Sequence, residues 1–221
     1  MRAENEARAA VLAAAKGMLE RGLTSGTSGN VSARLAGGTI VITPSGLPYQ
    51  DMGPGDLVVI TMAGVPVSPG GGGLAPSSEY QLHTACYQAF GEIGAVLHSH
   101  PPYASMFAAA RMPVPAVIDE AVIFLGGEIP VARYAISGSA RVGANAVTVL
   151  AGRASALLAS HGLVTVADTP AQALHRAVVS EHCAQVAWGA RALGGHVPLP
   201  AATLDTFGAA YRRGRAQPPS P

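Results

Sequence analysis

"IGAVLHSHPPYASMFAAAR", residues 93–111, carries the turn from strand to helix on which the fold depends. Its first half is a short apolar run of strand length, with histidines at 98 and 100. Its second half opens on Pro101-Pro102, where a helix tolerates proline, and continues in Ala, Met and Phe. Side chains alternate along a strand, so His98 and His100 project from one face, about 6–7 Å apart, close enough to share a metal ion. A matching stretch lies downstream. "ASALLASHGLVTVAD", residues 154–168, reads as two short strands joined at His161-Gly162. That places a third imidazole at a strand end, where it could complete a three-ligand site with a fourth position open. Taken alone, an H-x-H pair or a His-Gly turn has an equally simple structural use. His83, His175, His182 and His196 read as core or surface residues.

Around these two stretches the chain alternates helix and strand. The N-terminal segment is helical from about Asn5 to Arg21 and closes at Gly22. "TSGTSGNVS" follows as a small-residue loop. "GGTIVITPSG" and "DLVVITMAG" read as strands, and "PVSPGGGGLAP" as a flexible loop. A helix is expected to start near Ser77 or Ser78. "AVIFLGG" is ambiguous, "IPVARYA" reads as a strand and "SARVGANAVTVLAG" as a helix. The segment from Thr169 is a long helix, with Thr169 as cap, Pro170 opening and Gly194 stopping it. The expectation is one α/β domain over residues 1–214, with a mixed or antiparallel sheet between helices on both faces, and a short flexible tail over 215–221.

Composition bounds the function. In 221 residues there are 14 basic and 13 acidic side chains, without blocks of one sign, so nucleic acid and anionic membrane surfaces are poor partners. There is neither a signal-peptide core at the N-terminus nor an apolar run of spanning length. Cys86 and Cys183 form no ligand pair, which fits a reducing, cytoplasmic setting. The single lysine, Lys16, sits in the polar spacing of the first helix and is a poor Schiff-base candidate.

Three loops are rich in anion donors. "GTSGNVS" (26–32) offers backbone N–H groups with Thr27, Gly29 and Asn30; "TPSG" (43–46) offers Ser45 and Gly46; "PSSE" (76–79) offers Ser77 and Ser78 near a helix start. Each is also an ordinary turn or cap. Together they suit a phosphate held by neutral groups. Glu79, directly after the serines, is either a favourable helix-start carboxylate or, near a metal, a general base.

In their order and spacing, "GTSGNVS", "TPSG", "PSSE", "HSH" and "SHG" resemble the class II aldolase/epimerase family, and within it the branch of L-fuculose-1-phosphate aldolases, over nearly the whole chain. The resemblance implies a single α/β domain with a central, mostly antiparallel sheet sandwiched between helical layers. It implies a homotetramer with active sites at subunit interfaces. Zn2+ would be held by His98, His100 and His161, with Glu79 as a ligand of the empty site that substrate displaces; Mn2+ or Co2+ could replace zinc. Glu79 would then move the proton beside the ketone. Thr27, Gly29, Asn30, Ser45, Gly46, Ser77 and Ser78 would hold the substrate phosphate. The implied reaction joins or splits dihydroxyacetone phosphate and an aldehyde through an enediolate. Epimerase, decarboxylase and dehydratase are alternatives within the family, and an adducin-like interaction module is the alternative outside catalysis.

One departure stands out. Where the fuculose-phosphate enzymes carry a tyrosine before Gly-Gly, this chain reads "VIDEAVIFLGG", with Glu120 at that place beside Asp119. Carboxylate and phenol differ by about six pKa units. Glu120 is therefore the candidate second acid/base, or else half of a surface carboxylate pair. Tyr134 and Tyr211 are possible stand-ins.

Overall fold

The computed structural model describes residues 2–68 and 70–215. In chain order it contains α1 (Arg2–Glu20), β1 (Asn30–Arg34), β2 (Thr39–Ile42), β3 (Val58–Thr61), β4 (Pro66–Ser68), α2 (Tyr80–Ala89), β5 (Ala95–Ser99), α3 (Pro102–Ala110), α4 (Asp119–Leu125), β6 (Val131–Ala132), α5 (Ala140–Leu150), β7 (Ser155–Leu158), β8 (Gly162–Ala167), α6 (Pro170–Ala192) and α7 (Ala201–Arg215). The strands form one eight-stranded sheet in the order β4-β3-β2-β1-β5-β8-β7-β6. Every pairing is antiparallel except β6 with β7.

The sheet is covered on both faces, which is why its central strands are buried at every position. β5 and β8 have no exposed residue. On one face, Val11, Ala15 and Met18 of α1, Phe107 of α3, Leu125 of α4 and Ala177 and Ala184 of α6 pack on Val31, Leu97 and Leu163. On the other, Leu82, Cys86 and Tyr87 of α2 and Val142, Ala146 and Leu150 of α5 pack on Ile40, Ile60, Val96 and Val164. The α/β layering expected from the sequence is the one observed.

Several local expectations change. The glycine-serine loop ends earlier than read: Asn30, Val31 and Ser32 already belong to β1, bound to β5 through Asn30↔His98. Pro66–Ser68, read as loop, is the short edge strand β4. The helix expected at Ser77 or Ser78 starts at Tyr80, because Ser77–Glu79 form a turn closed by Tyr80 N–H on the Ser77 carbonyl (3.1 Å). "AVIFL" is the helix α4: Ala121, Val122 and Leu125 face inward while Ile123 and Phe124 stay exposed. The basic C-terminal stretch begins inside α7, which continues to Arg215; the remainder of the proposed tail, 216–221, lies outside the described residues.

Candidate metal and catalytic centre

His98 stands near the end of β5, fixed on both sides by pairing with Asn30 of β1 and Val164 of β8. His100 lies just past the strand, where its N–H donates to the Leu23 carbonyl (2.9 Å). His161 closes the β7–β8 turn. There Ser160 adopts a left-handed backbone (φ 53°), and His161 N–H returns to the Leu158 carbonyl (3.0 Å). The turn brings the third ring over the first two. The three ring centroids are 4.6–5.0 Å apart, and one ligand nitrogen from each ring lies within 4.8 Å of the other two. Gly29, in the loop over this site, has φ +80°, and a Cβ there would sit 2.7 Å from the His98 carbonyl; only glycine lets the loop pass.

Glu79 joins them from the turn before α2. Its Oε2 is 3.2 Å from His98 Nε2 and its Oε1 is 3.2 Å from His161 Nε2. Asn30 Nδ2 donates to Oε2 (2.9 Å) and Ser137 Oγ to Oε1 (2.8 Å). Burial works against the carboxylate charge. The hydrogen bond and charge of His98, with the bonds from Asn30 and Ser137, outweigh it and hold Glu79 well below the usual carboxylate range. Burial, reinforced by the neighbouring imidazoles, lowers His100 to about 4 and lowers His161 as well.

The donor chemistry tests whether a metal fits. His98 Nδ1 faces the Leu163 carbonyl at 2.9 Å. A carbonyl only accepts, so Nδ1 carries a proton and Nε2 is the nitrogen turned to the cluster. That nitrogen faces His100 Nε2 at 2.9 Å and a Glu79 carboxylate oxygen at 3.2 Å. Contacts this short between two ring nitrogens and a carboxylate oxygen need a cation, proton or metal, between them. Around a tetrahedral ion with metal–nitrogen bonds near 2.0–2.1 Å, ligand nitrogens stand about 3.4 Å apart. His98, His100 and His161 therefore form a group that could hold a divalent metal.

The three donor loops meet beside this centre. Thr43 N–H donates to the Val31 carbonyl, Ser77 N–H to the Thr43 carbonyl and Ser45 N–H to the Ala75 carbonyl. Thr24 Oγ1 donates to the Ser28 carbonyl, and Tyr49 donates to the carbonyls of Ser28 and Gly29. These bonds tie the loops carrying Thr27 and Gly29, Ser45 and Gly46, and Ser77 and Ser78 into one wall. Thr27, Ser45, Gly46 and Ser78 are exposed on it. Asn30 is placed differently: it is buried, its amide already shared between Glu79 and His83.

Glu120 is not brought to the cluster within the chain. It is exposed in the first turn of α4, along a groove with Ile118, Asp119, Ile123, Phe124 and Leu199, and its charge acts on the Cys183 thiol of α6. Tyr211 is buried, its ring against Gly126. Tyr134 is exposed, three residues before Ser137. Ser137, which sequence reading missed, sits in a polar loop with no local signal. Glu181 was missed too: from α6 it accepts the N–H groups of Tyr103 and Ala104 (2.8 Å each), capping α3 immediately after His100. Pro101 cannot supply that cap itself.

The sequence profile described as Class II Aldolase and Adducin N-terminal domain matches residues 9–188. The 5-methylthioribulose-1-phosphate/5-deoxyribulose-1-phosphate aldolase of Rhodospirillum rubrum is 32% identical over 216 residues, covering 97% of this chain and 96% of that protein. The L-ribulose-5-phosphate 4-epimerase of Salmonella paratyphi C is 34% identical over 184 residues, covering 78% and 79%. A solved L-fuculose 1-phosphate aldolase superimposes with a TM-score of 0.88 at 30% identity, covering 94% of this chain and 96% of that one. Among the described residues no helix is long and apolar enough to cross a membrane.

Proposed function

The chain belongs to the class II aldolase family, and on that premise we propose that it is a zinc-dependent aldolase of the cytoplasm acting on a small ketose 1-phosphate. The products of cleavage are dihydroxyacetone phosphate and an aldehyde. The observation that carries this reading is the convergence of His98, His100 and His161, with Glu79 carboxylate oxygens 3.2 Å from His98 Nε2 and His161 Nε2. Mn2+ or Co2+ would also suit these ligands.

The chain's own residues divide the work as follows. The wall of Thr27, Gly29, Ser45, Gly46, Ser77 and Ser78 holds the phosphate, while the Asn30 amide is given to Glu79. This remote binding fixes the reacting carbon against Glu79. Substrate displaces Glu79 from His98 and Ser137. Losing those contacts removes what held its proton affinity down, and makes it a better base. In condensation Glu79 takes the proton from the carbon beside the ketone; in cleavage it returns that proton. A bound divalent cation supplies Lewis-acid stabilisation of the charge that develops on the ketone oxygen. Glu120 handles the aldehyde-side proton. Because it lies outside the cluster of its own chain, it does so across a subunit contact of a homotetramer. A pH–rate profile unchanged by Glu120→Gln removes Glu120 from the mechanism.

The test is turnover. Purified protein is incubated with 5-deoxyribulose 1-phosphate and L-fuculose 1-phosphate, and dihydroxyacetone phosphate is followed through a coupled reductase. Activity lost to a chelator and restored by Zn2+ is expected. A second reading has its own support in the epimerase relative. Inversion of L-ribulose 5-phosphate at C4, with no dihydroxyacetone phosphate released from either ketose 1-phosphate, selects it over aldol cleavage.

A further inference from the structure

His83 lies four residues after Glu79, on α2, and is completely buried. Its Nε2 is 2.5 Å from Asn30 Oδ1 and its Nδ1 is 2.7 Å from Ser32 Oγ. Ser32 in turn is 2.9 Å from the Tyr87 hydroxyl. A line of buried polar groups therefore runs Tyr87–Ser32–His83–Asn30–Glu79 through the α2 face of the sheet.

Its direction follows from the last member. Glu79 is ionised and only accepts, so Asn30 must offer it the amide N–H. The Asn30 carbonyl is thereby turned to His83, which must donate from Nε2. Nδ1 then accepts from Ser32, which accepts from Tyr87. Each group has one orientation compatible with its neighbours, and nothing else in this line donates to Asn30 Oδ1. Were the His83 donor lost, the buried carbonyl of Asn30 would be unsatisfied, a state costly enough to turn the amide over.

We propose that His83 is a positioning residue for Glu79: its Nε2–H locks the Asn30 amide so that the N–H side meets the carboxylate. This rests on Glu79 being the proton-transfer group of the aldolase reading. It assigns a role to a histidine whose burial alone suggests packing, and it makes Asn30 part of the base rather than part of the phosphate wall.

Two substitutions separate positioning from packing. His83→Gln places an amide N–H near the former Nε2; His83→Asn reaches only the Nδ1 position, toward Ser32. Both remove the ring, so both lower the melting temperature similarly. Cleavage of the ketose 1-phosphate is measured at saturating Zn2+. H83N is expected to lose roughly 10–100-fold in kcat, as for other residues that orient a functional group through one hydrogen bond, with KM little changed; H83Q recovers most of that loss. In parallel, the Asn30 side-chain amide is followed by NMR: its carboxylate-bonded proton signal persists in H83Q and disappears in H83N. Equal kcat in the two variants, a defect in KM instead of kcat, or an unaltered Asn30 signal in H83N overturns the proposal. If the wild-type protein cleaves no ketose phosphate, the aldolase reading fails, while the Asn30 signal still decides whether the lock exists.

Discussion

Replacing Gly162 by alanine tests the histidine cluster with one methyl group. Gly162 opens β8 directly after His161. A Cβ there would stand 2.5 Å from the Ser99 carbonyl oxygen, 2.6 Å from His100 Cδ2 and 3.4 Å from His98 Cε1. Ser99 belongs to β5 and is held by its pairing with Leu163, so the strand cannot yield freely. The His100 ring must move. Carbon atoms rest about 3.5–4.0 Å apart, so the ring has to retreat by about 1 Å. Metal–ligand distances tolerate only about 0.2 Å. The strain alone costs roughly 1–3 kcal/mol, in the range of overpacked cores. Metal affinity should fall at least 10–100-fold, the loss seen when a mere supporting contact of a ligand is removed. The assay is metal retained per chain after dialysis against a buffered zinc chelator, with melting temperature recorded with and without Zn2+. Wild-type metal retention and an unchanged Zn2+-induced rise in melting temperature in Gly162→Ala would refute the convergence of these rings on one ion.

Other outcomes follow from single contacts. Glu181→Ala leaves the Tyr103 and Ala104 N–H groups uncapped at the start of α3; roughly 1–2 kcal/mol should be lost, read as about 2–8 °C in thermal unfolding of a chain this size. Gly189 lies within α6 with open space where a Cβ would go; Gly189→Ala should stabilise by about 0.5–1 kcal/mol, measured by urea denaturation. Chelated protein should lose stability as pH falls. Burial lowers His83 to about 3, so between its ordinary 6.5 and that value the unfolded chain binds the extra proton. From pH 7 to pH 5 this amounts to about 2 kcal/mol from His83 alone, with His100 and His161 acting in the same sense. Glu79 adds to the loss only below its ordinary 4.5, where the unfolded carboxyl begins to protonate. Calorimetry across that range checks the sign: a melting temperature that rises on acidification contradicts it.

What could be read from the sequence was what repeats locally. The apolar runs of β5, β7 and β8, and the Thr169-Pro170 start of α6, carry their own signals, and the cap is the one formed, Thr169 Oγ1 accepting the Gln172 N–H. The histidines were legible because strand alternation and a turn fix their directions. β1 was half hidden because Gly29 and Ser28 precede it and Asn30 is no strand former; its neighbour β5 makes it a strand. α4 was ambiguous because a run of apolar residues has no period until its buried side is known. α7 went unread; what holds it is Tyr211 against Gly126, a contact between residues far apart in the chain. The same applies to the Asn30–His83 and Ser137–Glu79 bonds, which span 53 and 58 residues. Tertiary contacts of that kind leave no trace in local spacing.

The sheet ends in stubs. β6 offers two residues and β4 three, and β4 begins with Pro66, which has no N–H to give, after a register shift against β3. Val65 and Val67 are exposed along that border, a greasy margin that would invite strand-to-strand stacking if it were longer and flatter. Brevity, proline and the kink leave an incoming chain almost nothing to zip onto, so a protein with such bare valines is protected against fibre growth by the poverty of its rims.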